Sequence, residues 1–195
     1  GATISGNYFY RNWGGGFDSY RGDGGNLIEN NTFLENGRGQ TEPSAIRLFG
    51  TGNTVRFNLI QDNGNVAGSP PINRGSGVLV VRNNGITNTP ATGHLISQNA
   101  FGGNISNAID LVAAAGNNSL GDGITLNDAV TDANAGNIGI DFPVITSAIE
   151  TGPNTTVSGT AATGATSVEV YRAVAGTGDT NGANDYGEGV QYLGT

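Results

Sequence analysis

Ile28-x-x-Asn31-x-Phe33-x-x-Asn36 decides the fold, because the frame recurs as Ile4-x-x-Asn7-x-Phe9-x-x-Asn12, Val55-x-x-Asn58-x-Ile60-x-x-Asn63 and Ile96-x-x-Asn99-x-Phe101-x-x-Asn104. Each copy holds an aliphatic residue, Asn three later, an apolar residue two after that, and Asn again three later. Four matches at four fixed positions exceed what an Asn-rich composition supplies by itself, and such self-similarity marks a repeat architecture. In three copies a glycine and a polar residue lead in: Gly25-Asn26, Gly52-Asn53 and Gly93-His94.

A second set of short strand-like stretches interleaves with the first: Phe17–Tyr20, Ile46–Phe49, Val78–Val81 and Ile109–Val112. Spacings between the Asn7-type positions are 24, 27 and 41 residues, and the surplus falls in the connections 37–44, 64–76 and 83–92. A constant strand frame with variable turns is how a solenoid reads in sequence. In a parallel β-helix, each coil pairs its backbone with the coils above and below at about 4.8 Å. Asn at equivalent corners can then stack, amide bonding to amide, and tolerate the left-handed backbone that corners need. The columns Asn7, Asn31, Asn58, Asn99 and Asn12, Asn36, Asn63, Asn104 are therefore expected to be structural ladders, with His94 in a corner hydrogen bond rather than in acid–base work.

On these motifs the chain, over residues 4–120, resembles the right-handed parallel β-helix repeat proteins of secreted and surface-attached bacterial products. The resemblance implies a fold. It does not imply one activity, since pectin-cleaving enzymes, phage tailspikes and adhesins share that scaffold.

After Leu120 the repeat fails, and Gly121-Asp122-Gly123-Ile124-Thr125-Leu126-Asn127-Asp128 leads through an acidic Gly/Asn stretch into Asp141-Phe142-Pro143-Val144-Ile145-Thr146-Ser147-Ala148. Strand-like runs follow at 143–149, 154–160, 166–173 and 189–193. This half resembles the tail of large secreted bacterial β-helix proteins, in which such segments precede an immunoglobulin-like sandwich containing the stretch seen here at Gly187–Gly194. The loop 176–185 departs from that pattern. A sandwich needs roughly 100 residues and some 54 follow Asp141, so the chain is expected to stop partway through that domain or to be completed by strand exchange. The expectation is an all-β protein: a right-handed parallel β-helix over 1–120, an acidic linker over 121–141, and an incomplete Ig-like β-sandwich over 142–195.

Composition restricts the chemistry. Of 195 residues, 34 are Gly, 25 Asn and 20 Thr, while Cys, Met and Lys are absent and all eight basic residues are Arg. Without Cys there is no disulfide, thiolate metal site or cysteine nucleophile; without Lys there is no Schiff base or P-loop lysine. Residues 1–82 hold seven Arg against six acids (+1) and residues 83–195 one Arg against ten acids (−9), which sum to the formal −8. Such an acidic half disfavours nucleic acid and anionic lipid, and no apolar run reaches the length of a membrane span.

Calcium is the expected ligand, because it takes hard oxygens from flexible Asp/Asn loops. One candidate set is Asp122, Asp128, Asp132 and Asn134; the other is Asp179, Asn181, Asp185 and Glu188, with Asn184 between. No residue is assigned a catalytic role. Alignment stacks Asp18, Arg47, Leu79 and Asp110 in one outward column, with the acids roughly 14 Å apart at 4.8 Å per coil, too far for a carboxylate pair. The next column, Tyr20 and Phe49 with Val81 and Val112, is also expected to face outward and, with Trp13 nearby, to offer a platform for a sugar ring. Arg21-Gly22-Asp23 reads as a chance turn tripeptide. The expected role is a non-catalytic structural, adhesive or assembly module, extracellular or at the cell surface, self-associating through an open solenoid edge or strand exchange. The alternative is a carbohydrate-binding or polysaccharide-cleaving β-helix.

Overall fold

The computed structural model describes residues 1–195 apart from 21–23, 40, 68–71, 83–90, 117, 119, 175–179, 182–183 and 186, with backbone alone for 66–67, 72–74, 180–181 and 184–185. Among the described residues four coils follow one another. The first carries β1 (Thr3–Ser5), β2 (Tyr8–Tyr10) and β3 (Phe17–Asp18); the second β4 (Leu27–Glu29), β5 (Thr32–Leu34) and β6 (Ile46–Leu48). The third carries β7 (Thr54–Arg56), β8 (Leu59–Gln61), an excursion through the hairpin β9 (Asn65–Ala67) and β10 (Ile72–Arg74), then β11 (Val78–Val80). The fourth carries β12 (Leu95–Ser97), β13 (Ala100–Gly102) and β14 (Ile109–Leu111).

Equivalent strands pair in parallel and in register, giving three four-stranded sheets in the orders β1-β4-β7-β12, β2-β5-β8-β13 and β3-β6-β11-β14. Consecutive strands of a coil thus belong to different sheets, and every hydrogen-bonded neighbour in these sheets lies one coil away: the arrangement is solenoid-like. The repeat sets the register. Ile4, Ile28, Val55 and Ile96 stack in one sheet, and Phe9, Phe33, Ile60 and Phe101 in the next. These are the residues whose alternate pointing buries them: Ile28, Phe33, Val55 and Ile60 are fully buried, and the Phe9 and Phe33 rings stack at 4.5 Å.

The solenoid strands are three residues long, or two in β3, because the chain turns sharply between them. At these corners the left-handed residue is the one before the Asn: Gly6, Asn30, Phe57 and Gln98 in one column, Arg11, Glu35, Asp62 and Gly103 in the next, with φ between 52° and 69°. The expectation that Asn itself would adopt this conformation is corrected. Holding a side chain such as Phe57 there costs about 1 kcal/mol or more, and the following Asn fixes the bend by donating from Nδ2 to the carbonyl two residues back, as Asn31 does to Glu29 and Asn58 to Arg56, both at 2.9 Å.

After β14 the chain folds back over the solenoid. Among the described residues the remaining strands pair as separate antiparallel hairpins: β15 (Val144–Thr151) with β16 (Asn154–Thr160), β17 (Val170–Val174) with β20 (Glu188–Gly194), and β18 (Thr180–Asn181) with β19 (Asn184–Asp185). Strand positions expected near 143–149, 154–160 and 189–193 agree with β15, β16 and β20 to within two residues. Residues 166–169 are not strand, and the described strands after β14 form three two-stranded ribbons that share no hydrogen-bonded sheet.

Candidate functional site

The polar side chains inside the solenoid form three columns. Asn7 Nδ2 donates to Asn31 Oδ1 (3.1 Å), Asn31 to Asn58 (3.1 Å) and Asn58 to Asn99 (2.9 Å). Asn12 donates to Asn36 (2.7 Å), Asn36 to Asn63 (3.0 Å) and Asn63 to Asn104 (2.9 Å). Each Oδ1 also accepts the backbone N–H of the Asn one coil earlier, for example Asn31 N to Asn58 Oδ1 at 2.9 Å. The eight expected ladder residues are therefore the ladder residues.

The Gly-Asn lead-ins make a third column. Asn26 Nδ2 donates to Asn53 Oδ1 (2.8 Å), and the Asn53 N–H donates to His94 Nδ1 (3.1 Å). His94 thus fills an Asn position, with Nδ1 as acceptor; its Nε2 is buried without a partner. Burial lowers its pKa to about 4, so the ring is neutral near neutral pH.

Residues from the second half of the chain close two of the columns, at His94 and Asn104, and bond Ser97 and Gln98 beside Asn99, where the other column ends. Asn137 accepts the His94 N–H on Oδ1 (3.0 Å) and donates to the His94 carbonyl (3.1 Å). Glu188, fully buried, accepts from Asn104 N (3.0 Å) and Nδ2 (2.6 Å), as the Oδ1 of a further ladder Asn would. Glu169 accepts from Ser97 Oγ and from Gln98 N–H (3.0 Å), and the Tyr171 hydroxyl accepts the same N–H at 2.8 Å. Burial acts to raise the Glu169 pKa, but hydrogen bonds from Ser97, Tyr171 and Gln98 outweigh it and hold the group low. Burial, then Glu169, pushes the Tyr171 hydroxyl well above its ordinary value. Glu188, expected as a calcium ligand, is here a ladder terminus. The carboxylate supplies two acceptors and no N–H that would need another coil. Nothing in the local sequence around Gly187-Glu188-Gly189 signals this partner 84 residues away.

The column Asp18, Arg47, Leu79 and Asp110 is in register as expected, but beyond the exposed Asp18 it is covered: Arg47 is 5%, Leu79 0% and Asp110 1% exposed. Arg47 Nε bonds Asp18 at 3.0 Å and Nη2 meets Glu42 at 2.7 Å. Partial burial lifts the Asp18 carboxyl above its ordinary value against the pull of Arg47. These three residues, with Gly14, Gly15, Phe17 and Ser44, line a cleft of about 210 Å³. Trp13, 75% exposed, adjoins it in sequence, and Tyr20 is half exposed, but Phe49 is 6% exposed and belongs to the core. Phe49 as an outward sugar platform is thus corrected: it turns inward, meets Tyr20 edge-on at 5.5 Å, and the arginine carbon of Arg47 lies 5.1 Å above it. Val81 and Val112 are also buried.

The calcium candidates do not assemble as one set. Asp132 pairs with Arg82 (2.5 Å) and accepts Asn134 N (2.8 Å); the Asn134 N–H, followed by Arg82, lowers its pKa. Asp128 Oδ1 accepts Val130 N at 2.8 Å. Asp122 Oδ2 accepts the N–H groups of Ala113 (3.0 Å) and Ala114 (2.5 Å). Asp179 and the tripeptide Arg21-Gly22-Asp23 lie outside the described residues, and Asn181, Asn184 and Asp185 are described in backbone alone. Among the described residues there is no cluster of three or more His, Asp or Glu side chains placed to hold a metal.

A pair of carboxyl groups does come together. Asp110 Oδ2 accepts the Gly123 N–H at 3.1 Å and its carboxyl is within hydrogen-bonding reach of Asp122, while Asp110 Oδ1 is buried without a partner. Burial, then the Asp122 charge, pushes Asp110 up to about 7 against the Gly123 N–H. No family model, curated protein or solved structure matches the chain.

Proposed function

We propose that the chain is a non-catalytic structural or assembly module of a secreted or cell-surface protein: a right-handed parallel β-helix whose fourth coil is closed by an Ig-like β-rich region. The observation that carries this reading is the use of the buried polar groups. Three columns of amides run along the stack, two of them end on Asn137 and Glu188, and the Glu169–Tyr171 pair bonds Ser97 and Gln98 beside the third, so polar side chains that could serve chemistry serve coil-to-coil cohesion. Ion pairs follow the same axis: Arg11 with Glu35 (2.6 Å) and Arg56 with Glu29 (2.8 Å) each join adjacent coils.

Assembly would use what is left uncovered. On the first coil Tyr8 is 61% and Tyr10 43% exposed. The β15–β16 ribbon, with Ile145 and Ile149 exposed, offers edges for added strands. Incubation with a panel of acidic and neutral polysaccharides tests the non-catalytic reading: no soluble product is expected, and release of reducing ends or unsaturated products overturns it.

A second reading, a carbohydrate-binding solenoid, is favoured by Trp13. Its indole is exposed beside the Asp18–Arg47 cleft, and the Gly39 backbone lies so close to the ring that a Cβ there would strike it. The cleft is smaller than the roughly 300 Å³ of an ordinary enclosed ligand site, so a sugar would lie on the ring rather than inside. Saturable glycan binding lost in Trp13→Ala and Tyr20→Ala would establish that reading; binding unchanged by both, or absent, removes it.

A further inference from the structure

We propose that the Asp110–Asp122 carboxyl pair binds one hard divalent cation of the calcium class, which ties the Gly121–Gly123 loop to the last coil. The site takes Asp122 from the first Asp/Asn loop expected from sequence but joins it to Asp110 of β14 in place of Asp128, Asp132 and Asn134, and it does not depend on whether the module is structural or carbohydrate-binding. Asp110 stands at the centre of β14, 1% exposed, with Oδ1 unpartnered. A buried carboxylate oxygen with no donor is costly, and a second carboxyl held against it makes the arrangement worse unless a proton or a cation enters. The Asp122 carboxylate is fixed in place by two backbone N–H groups, from Ala113 and Ala114.

Neither Arg47 nor Arg82 is free to neutralise the pair. The residue one coil back in register is Leu79; Arg47, a coil further, is engaged by Asp18 and Glu42; and Arg82 is engaged by Asp132 and the Ala113 carbonyl. Gly121 passes so close that a Cβ would collide with Asp110 Oδ2, so the glycine lets the loop lay Asp122 against Asp110. Two carboxylates with neighbouring backbone carbonyls and water form a hard-oxygen set, which selects calcium or magnesium over softer metals. Calcium's tolerance of irregular geometry suits a site assembled from a strand and a loop.

The test is titration of the metal-stripped chain with calcium chloride, and separately magnesium chloride, at about pH 8, where carboxyl protons compete least. Binding is read by calorimetry and by the melting temperature. The expected result is saturable binding of one calcium per chain with a raised melting temperature. Asp110→Asn and Asp122→Asn should each weaken binding by at least about tenfold, whereas Asp132→Asn and Asp179→Asn should leave it unchanged. Should Asp110→Asn fail to fold, Asp122→Asn carries the comparison, because its side chain meets solvent. Wild-type protein that shows neither heat nor a melting shift in millimolar calcium, meaning a shared proton only, overturns the proposal. So does calcium binding that survives both substitutions.

Discussion

Asn58→Ala removes the middle of a column, and its consequence can be worked from the bonds. Asn58 is 2% exposed. Its Oδ1 accepts Asn31 N (2.9 Å) and Asn31 Nδ2 (3.1 Å), and its Nδ2 shares two hydrogens among Ile28 O, Arg56 O and Asn99 Oδ1, each at 2.9 Å. Truncation leaves the buried Asn31 N–H with no acceptor, at about 1–3 kcal/mol, and forfeits about two further hydrogen bonds at a net ~1 kcal/mol each. Asn31 Nδ2 keeps Ile4 O and Glu29 O, and Asn99 Oδ1 keeps the residue 58 N–H, so those groups add little. The expected loss is about 3–5 kcal/mol, against a total of about 5–15 kcal/mol for a folded domain. Urea unfolding followed by far-UV circular dichroism measures it, with Asn7→Ala as the reference. Asn7 is exposed at the open end and bonds Asn31 and Ser5, so its truncation should cost under about 1 kcal/mol. Equal midpoints for the two variants would refute the ladder as a source of stability.

Two further outcomes follow from the column ends. His94 has its folded pKa lowered from 6.5 to about 4 by burial, so its contribution is complete above pH 6.5 and lost as pH falls towards 4. Linkage gives about 2 kcal/mol lost between pH 8 and pH 5; His94→Asn, which restores a ladder amide, should remove that component when the two stability–pH curves are subtracted, and parallel curves would contradict it. Glu188→Ala leaves Asn104 N and Nδ2 without their carboxylate and should cost about 2–4 kcal/mol, while Glu188→Gln, which keeps one acceptor, should cost less. Unchanged urea midpoints in both variants would mean that β20 does not close the column.

The coil frame was legible because its period is local: the Ile/Val, Asn and Phe/Ile positions recur at fixed offsets, and parallel pairing in register follows from superposing them. The third column was half legible in Gly25-Asn26, Gly52-Asn53 and Gly93-His94. Its termination on Asn137 was not, because no repeat leads to that residue. Phe49 illustrates a different limit. Alternation along Ile46–Phe49 points it outward, but the strand stops at Leu48 and the chain bends, so alternation ceases to apply one residue too early for the pattern to reveal. Arg47 and Asp110 do face away from the strand core as alternation requires, yet they are buried by loop segments around Glu42, Asn118 and Gly121–Gly123 whose return path carries no periodic signal. The Asp110–Asp122 pair escaped notice for the same reason: strand alignment found Asp110, loop composition found Asp122, and nothing in the sequence joins them.

Hydrogen exchange of the asparagine side-chain amides, resolved by NMR, tests the central claim most directly. Three continuous amide columns predict that the Nδ2 protons of Asn31, Asn36, Asn53, Asn58 and Asn63 exchange as slowly as the backbone amides of β5 and β8, while those of the exposed Asn154 exchange at once. Rapid exchange of the column amides alongside protected strands would contradict the account.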